Sequence, residues 1–540
     1  MVLSLINLCA RSVVSDHGSS PCWLACVPRE LYRALLEAAF VHCRPLAIGE
    51  LVQRWPERCL RVGGRRRAGH TPPNRLCVQA LLLAVVRGLG DKRCALQVLD
   101  LCGLQCEDGG LVDSMGGWSL TVALCSMVLQ ARIAARGQVK KVQQRKRLQE
   151  TEGQGARTEN GVQKSSQDRG GQPPVERQAE VRGVRRIMEM TRDRVKESRE
   201  TEQQQETEIV VQVRADLFVN ARSWERIHTA LATKGPLQLH CQHLRVEELP
   251  AATIVALLSL LPPHSLQGLD IHYSSLGVSG LALLLPTLAR FPYLSSLRLH
   301  YCNLDVRRDA PGQEKALRDM AAGLGALVKL RQISLTALRL SGHLRLLLSS
   351  LSQPLEVLEL PYLSLIPADL SYLSCSIHAT SLRRLDLSEN RLEEATLPSL
   401  CRLLSQASGS LTHLSLCGCG LSDSLLGALF PPLRCCRTLC SLGLALNPLS
   451  RTGVLAVVRV AASISSLRLL LHPNALEEYK PGLPPLPSSA QLLDWPLEED
   501  LDWREAFQAE LEMVLVESER SNLLLTSDLL NYNSLLEEEA

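Results

Sequence analysis

The stretch L-R-R-L-D-L-S-E-N-R-L, residues 382–392, decides how this chain folds. Its leucines follow the template L-x-x-L-x-L-x-x-(N or C)-x-L, in which the L-x-L pair predicts a short strand with both leucines pointing inward. The Asn or Cys that follows three residues later is expected at a turn, where its side chain bonds buried backbone groups. The rest of such a repeat predicts a helix.

The template recurs over the second half of the chain. Complete copies begin at Leu294, Leu382, Leu411 and Leu439, and looser copies surround them. Repeats of about 28 residues are typical of the leucine-rich class with a full helix in each repeat. We therefore predict an α/β fold, a leucine-rich repeat solenoid shaped like a horseshoe, with a parallel sheet on the concave face and helices on the convex face.

Composition divides the remainder of the chain. One early repeat, A-L-Q-V-L-D-L-C-G-L at 95–104, is separated from the others by a segment rich in Lys, Arg, Glu, Gln and Gly, which buries too little apolar surface to order. The predicted divisions are a helical N-terminal region (1–60), an N-terminal cap with the first repeat (61–135), a disordered insertion (136–208), the repeats (209–475), and a C-terminal cap with an acidic tail (476–540).

A basic patch lies in the insertion at 140–147, K-K-V-Q-Q-R-K-R. A nuclear signal or an RNA contact is one interpretation, and a solvated linker is the other. The linker is favoured because no aromatic residues are interleaved to stack on bases. We expect a cytoplasmic protein that does not bind nucleic acid, with nuclear entry as the alternative if the patch acts as a signal.

The 19 cysteines lack the regular spacing of a disulfide scaffold, so a reducing compartment is the simpler expectation. Cys417 and Cys419 have a spacing that suits a metal, but without paired partners they are interpreted as core residues. No apolar run reaches the length of about 18 residues that a membrane helix needs. No membrane association is expected.

Catalytic motifs such as G-x-S-x-G, a phosphate loop or H-E-x-x-H are missing, so a non-enzymatic protein without a cofactor is predicted. His240, His272 and His300 each follow an inward apolar residue and are expected on the concave face. A metal site or proton transfer is one alternative, but a protein-binding surface is favoured because no carboxylate recurs with them. Charged residues of the later strands are expected to complete that surface: Arg331, Glu356, Glu359, Arg383 and Arg384.

The N-terminal stretch S-L-I-N-L-C-A-R-S-V, residues 4–13, has three interpretations. A signal peptide is disfavoured because no basic residue precedes the apolar run and Arg11 interrupts it. An amphipathic helix that caps the repeats is the second. The third is a BC-box, the helix through which receptors dock on Elongin C, because Leu5, Cys9 and Val13 are spaced four apart along one stripe.

A second motif follows at Val27-Pro28-x-x-Leu31-x-x-x-Leu35, which matches the looser Cullin-2 box. The alternative is simply a proline in the first turn of a helix.

These motifs lie within a longer likeness. The stretches V-P-R-E-L-Y-R-A-L-L-E-A-A-F (27–40), L-A-I-G-E-L-V-Q-R-W-P (46–56) and A-L-Q-V-L-D-L (95–101), followed by repeats such as S-L-R-L-H-Y (296–301), resemble the PRAME family. That resemblance implies a substrate receptor of Cullin-2 RING ubiquitin ligases, whose repeats hold the target. It also implies an association with dampened transcriptional or innate immune signalling.

By the same resemblance, Leu5, Cys9 and Val13 would contact Elongin C of the Elongin B/C pair, and the second motif would serve Cullin-2. The leading hypothesis is thus a non-enzymatic ubiquitin ligase adaptor for a protein substrate that the sequence does not name. The alternative is a free-standing scaffold or inhibitor that binds a signalling protein through its concave face. In that case the N-terminal helices only cap the repeats, and Leu5, Cys9 and Val13 would be buried.

Overall fold

A computed structural model describes residues 5–15, 27–62, 74–89, 94–104, 119–155, 211–307, 312–498, 501–530 and 532. Its account of side chains leaves out 138–155 and 501–502. Ser4, the insertion from 156 to 208 and the acidic tail after 532 therefore lie outside the described residues, as do the side chains of the basic patch.

Thirteen strands in the described residues form one sheet, with the strands in sequence order. Every pair with a defined register is parallel. This confirms the predicted α/β repeat fold. The strands are β1 (Cys59–Arg61), β2 (Val98–Asp100), β3 (Val211–Val219), β4 (Leu237–Glu247), β5 (Gly268–His272), β6 (Ser296–His300), β7 (Gln332–Thr336), β8 (Val357–Glu359), β9 (Arg384–Asp386), β10 (His413–Ser415), β11 (Ser441–Gly443), β12 (Leu469–Leu471) and β13 (Leu524–Thr526).

Helices connect most of these strands, as the repeat pattern predicts. They are α1 (Leu5–Ser15), α2 (Tyr32–Val41), α3 (Pro45–Gln53), α4 (Arg75–Gly88), α5 (Leu120–Gly155), α6 (Trp224–Ala232), α7 (Ala251–Leu260), α8 (Gly277–Thr287), α9 (Gln313–Gly325), α10 (Leu344–Leu348), α11 (Pro367–Cys375), α12 (Leu397–Ala407), α13 (Asp423–Gly427), α14 (Phe430–Cys435), α15 (Arg451–Ser463), α16 (Ser489–Asp494) and α17 (Leu501–Glu517).

The chain forms two compact units. Unit 1 comprises Met1–Gly64, Thr71–Ala215 and Glu225–His240, and unit 2 comprises Arg65–His70, Asp216–Trp224 and Cys241–Ala540. In unit 1 the helices α1 to α5 each pack on the next in sequence order. In unit 2 the central leucines of the short strands, such as Leu385, Leu414 and Leu442, are in register and buried.

The turn position of each repeat has the role that its residue type predicts. The buried amide of Asn390 donates to the carbonyls of Leu360 and Leu387 at 2.8 and 2.9 Å, and its oxygen accepts from the backbone N–H groups of Leu363 and Leu365 in the preceding repeat. Where cysteine takes this position, as at Cys419, the thiol donates to the Leu387 carbonyl at 3.3 Å. Satisfying these backbone groups is what allows the turn to be buried.

The structure differs from the expected course of the chain at three places. Residues 136–155 continue helix α5 and are not an irregular segment, because Lys, Arg, Gln and Glu are strong helix formers even without an apolar face. Strand β13 extends the sheet beyond Leu471, where the repeats were expected to stop. Strand β1, with Leu60 buried, precedes the repeat that was expected to be first.

Candidate functional site

Helix α1 divides its side chains between two faces. Ala10 and Val14 are buried, and the helix packs on α2 through this side of unit 1. Leu5 is 76% exposed, Val13 is 41% exposed, and Cys9 between them is exposed as well. The three residues of the predicted BC-box are therefore exposed, as are Ile6 and Leu8 of the same helix, and their contact with Elongin C stays a prediction.

The second motif is only partly on the surface. Pro28 and Leu31 are exposed at the short 3-10 turn before α2, and Val27 is half-buried. Leu35 is 4% exposed and belongs to the core of unit 1. The motif's last position is therefore not available as a contact residue: although Leu35 lies four positions after Leu31, α2 begins only at Tyr32, and Leu35 is buried there with Tyr32 and Leu36.

In unit 2, the alternate side chains of the strands form what we call the open face, which is the side of the sheet opposite the buried leucines. Its middle row is polar and runs across register partners from Asp270 to Arg298, Ser334, Glu359, Asp386 and Ser415. This row contains both signs of charge and no large apolar side chain. It is suited to recognising a polar or charged partner.

The most concentrated group on the open face is Asp270, His272 and His300, which we call the histidine cluster. Asp270 and His272 are two apart on β5 and share a face, and His300 is the register partner of His272 on β6. The His272 Nε2 atom lies 2.6 Å from Asp270 Oδ1, and the His300 Nε2 atom lies 3.9 Å from the same oxygen. The two imidazoles stack with centroids 4.4 Å apart.

Electrostatics within the histidine cluster favour a neutral His300 and an ionised Asp270. Burial, reinforced by the neighbouring His272, lowers the pKa of His300 to about 4. Burial works against ionisation of Asp270, but the close contact with His272 outweighs that effect, so the pKa of this carboxyl is lowered. The cluster thus presents a carboxylate together with an imidazole that keeps a free nitrogen lone pair at neutral pH.

The sequence did not predict this carboxylate. His240 was expected to join His272 and His300, but β4 pairs with β5 only from His243 onward, and Glu247 is the register partner of His272. His240 is half-buried further back on β4, where burial and Arg214 lower its pKa. The D-x-H alternation of β5 was the available signal, since it places an acid and a histidine on one face.

Two stacked tyrosines border the histidine cluster. Tyr273 and Tyr301 directly follow His272 and His300, and their rings are 5.2 Å apart and nearly parallel. Both residues have a positive φ, of 49° and 54°, and both rings are about half exposed. The same turn has a positive φ in later repeats, at Ala337 and Glu389 for example, so this backbone conformation belongs to the repeat and the two rings add exposed aromatic surface beside the cluster.

Four of the other charged residues predicted for this face form ion pairs. Glu359 and Arg384 lie on the open face with their charged groups 3.8 Å apart. Arg331, Glu356 and Arg383 each directly precede a strand, so they line the edge where strands begin, and Arg331 pairs with Glu356. Arg383 is exposed there. These residues belong to one polar surface, but not to the histidine cluster.

The far end of the open face is apolar and is covered by the chain itself. Leu469 and Leu471 of β12 are buried under Leu529 and Tyr532, and the Tyr532 hydroxyl bonds with that of Ser441. This contact was not predicted. It leaves the polar part of the open face as the part accessible to a partner among the described residues.

No helix in the described ranges has both the length and the hydrophobicity needed to cross a bilayer.

Comparison with known proteins gives two matching family models and a set of full-length relatives. The PRAME N-terminal domain matches residues 3–108, and the PRAME C-terminal domain matches residues 213–483. Leucine-rich repeat-containing protein 14 from Xenopus laevis is 34% identical over 550 aligned residues, and the human protein of that name is 31% identical over 551. Both alignments cover 97% of this chain and 97% of the relative. Among solved structures, an internalin from Listeria monocytogenes covers 50% of this chain and 77% of its own at 16% identity, with a TM-score of 0.28.

Proposed function

Because this chain belongs to the PRAME family of leucine-rich repeat proteins, we propose that it is the substrate-recognition adaptor of a Cullin-2 RING ubiquitin ligase. Its repeat architecture is that of a protein-interaction scaffold. The proposal adds a specific pair of partners, Elongin B/C and Cullin-2, and a protein substrate held by the repeats.

The observation that carries the proposal is the outward position of Leu5, Cys9 and Val13 on helix α1. A short amphipathic helix on the surface of a protein ordinarily turns its larger apolar side chains toward the core. In the 11-residue helix α1, however, the buried positions hold Ala10 and Val14. An exposed apolar stripe at i, i+4 and i+8 fits a hydrophobic groove on a partner. The smaller Cys9 between two aliphatic residues suits a groove that narrows in the middle.

The two surfaces would bind different partners. Helix α1 would dock on Elongin C, Pro28 and Leu31 would add contacts to Cullin-2, and the open face would hold the substrate. The adaptor then raises the local concentration of substrate lysines near a charged ubiquitin-conjugating enzyme and supplies no chemical group itself. Removal of a signalling protein in the cytoplasm is how such an adaptor would dampen a pathway.

The test measures binding of the full chain to purified Elongin B/C by biolayer interferometry. We expect the wild type to bind, and Leu5→Ser with Cys9→Ser to weaken binding at least ~10-fold, because each change removes a buried apolar anchor from the interface. Circular dichroism of the variant should be unchanged, since both side chains are exposed.

The matched control is Leu8→Ser. Leu8 is 47% exposed on the same helix, but it lies about 60° round the axis from Leu5, on the side away from Cys9 and Val13. Binding close to that of the wild type is expected for this variant. No binding of Elongin B/C by the wild type, or equal losses in both variants, would overturn the adaptor proposal and leave the scaffold alternative.

A second arm separates the two docking motifs. Pro28→Ala with Leu31→Ala should reduce recruitment of Cullin-2 to the preformed complex with Elongin B/C, while binding of Elongin B/C itself is kept. Both residues are exposed, so a folding defect is not expected. Leu35→Ala is unsuitable for this test, because loss of a core leucine costs about 2–5 kcal/mol of stability.

A further inference from the structure

We propose that Asp270, His272 and His300 form a zinc-binding site on the open face, with one coordination position left for a ligand from outside the chain. The site lies within unit 2 and does not depend on the adaptor role.

The backbone brings the three ligands together without any change of fold. Asp270 and His272 project from alternate positions of β5, and the parallel register places His300 beside His272 on the neighbouring strand. One ligand atom from each residue lies within 4.8 Å of the other two. Adjacent strands are about 4.8 Å apart, so small rotations about the side-chain torsions are enough to adjust these distances.

The ligand types and distances suit zinc. Imidazole nitrogen and carboxylate oxygen are standard zinc ligands, at about 2.0–2.2 Å from the metal, so ligand atoms in a tetrahedral site lie about 3.3 Å apart. The two separations measured from Asp270 Oδ1, 2.6 Å to His272 and 3.9 Å to His300, lie on either side of that value.

Two polar atoms of the cluster lack a hydrogen-bond partner among the described residues. Asp270 Oδ1 and His272 Nε2 are both buried, and their close contact does not have the alignment of a hydrogen bond. Buried polar atoms without partners are costly and call for an explanation such as an ion. A metal bound by both atoms would satisfy them together.

The charges around the cluster are compatible with a cation. Asp270 supplies the negative charge of the cluster, and its Oδ1 atom lies within 3.9 Å of a ring nitrogen of each histidine. Two arginines are register neighbours of Asp270: Arg298 on β6, whose side chain is exposed, and Arg245 on β4, whose charge is paired with Glu247. Glu359, which also pairs with Arg384, adds a negative charge near His300.

Three protein ligands leave the fourth tetrahedral position to water or to a side chain of a partner. That position opens on the surface bordered by Tyr273 and Tyr301. A carboxylate, imidazole or thiolate of a bound protein could complete the coordination, which would make binding of that protein dependent on zinc.

The test titrates the full chain, purified without a histidine tag and stripped of metal, with Co²⁺ as a spectroscopic probe and then with Zn²⁺ in competition. We expect one cobalt site whose d–d absorption is not accompanied by thiolate-to-cobalt charge transfer. His300→Gln should weaken it about 100-fold or more, since even loss of an indirect partner costs 10- to 100-fold. His413→Gln, another half-buried histidine of this face, is the matched control and should leave the site unchanged.

A second variant tests the same position in case His300→Gln weakens the fold. His300→Cys should restore binding and add thiolate-to-cobalt absorption, which only a ligand at this position can produce. The proposal is overturned if the wild type binds cobalt only through thiolates, if it binds none at all, or if His300→Gln and His413→Gln behave alike.

Discussion

Asn390→Ala tests whether the buried turn amides, rather than the leucines alone, hold the repeats together. The Asn390 oxygen accepts from the backbone N–H groups of Leu363 and Leu365 at 3.1 and 3.2 Å, and its amide donates to Leu360 and Leu387. Asn390 is completely buried, so no water replaces these bonds when the amide is removed.

The expected loss of stability follows from the hydrogen bonds that Asn390→Ala removes. These four hydrogen bonds at about 0.5–1.5 kcal/mol each give roughly 2–6 kcal/mol, toward the upper end because the buried N–H groups of Leu363 and Leu365 lose their acceptor. Asn390→Cys should lose less, since Cys419 shows that a thiol at this position still donates to a neighbouring carbonyl. The exposed Gln353→Ala serves as the control and should stay within about 0.5 kcal/mol of the wild type.

Because the chain forms two compact units, global unfolding need not be two-state, and hydrogen exchange read by mass spectrometry on peptides covering 360–390 is the appropriate assay. A loss of about 4 kcal/mol corresponds to roughly a thousandfold faster exchange of these amides, at 1.4 kcal/mol per factor of ten. If Asn390→Ala changes exchange by less than tenfold, or no more than Asn390→Cys does, the turn amides do not have this role.

Two further predictions concern acid stability and helix packing. Burial, and after it the nearby Arg384 and Arg383, lowers the pKa of His413 to about 4. The unfolded chain therefore takes up this proton at a higher pH than the folded protein does, and the folded protein loses stability as the pH falls from about 6.5 toward 4. His413→Gln should make urea midpoints less sensitive to pH in that window, and an unchanged pH dependence would contradict the reasoning. Gly323→Ala should cost about 1–3 kcal/mol in thermal unfolding, because the added Cβ would lie 2.7 Å from the backbone of Leu285 on α8. Gly427→Ala meets nothing within 4 Å and should be neutral or slightly stabilising; equal effects at both glycines would argue against a close backbone contact.

Regular leucine spacing made most of unit 2 predictable from sequence. The L-x-L pairs gave the strands, and the residue three positions later gave the buried turn amide of Asn390 and the thiol of Cys419. Strands β1 and β13 were not predicted because each is only three residues long and lies outside a complete copy of the leucine template.

The candidate sites were less predictable, for a different physical reason. The stripe of Leu5, Cys9 and Val13 lies within one helix, so the spacing of these residues in the sequence was enough to predict it. The meeting of Asp270 with His300 depends on the register between two strands 30 residues apart, which no local pattern encodes. Burial of Leu469 under Tyr532 depends on a contact between still more distant parts of the chain.

That covering of Leu469 and Leu471 has a calorimetric consequence. The polar part of the open face offers a partner little apolar surface, so association there should show only a small negative change in heat capacity. A partner that reached the two leucines would first have to displace Leu529 and Tyr532, exchanging one apolar cover for another. In both cases binding of a partner to the open face should be driven by enthalpy, and that enthalpy should change little with temperature. Docking of an exposed aliphatic helix in a groove should behave differently.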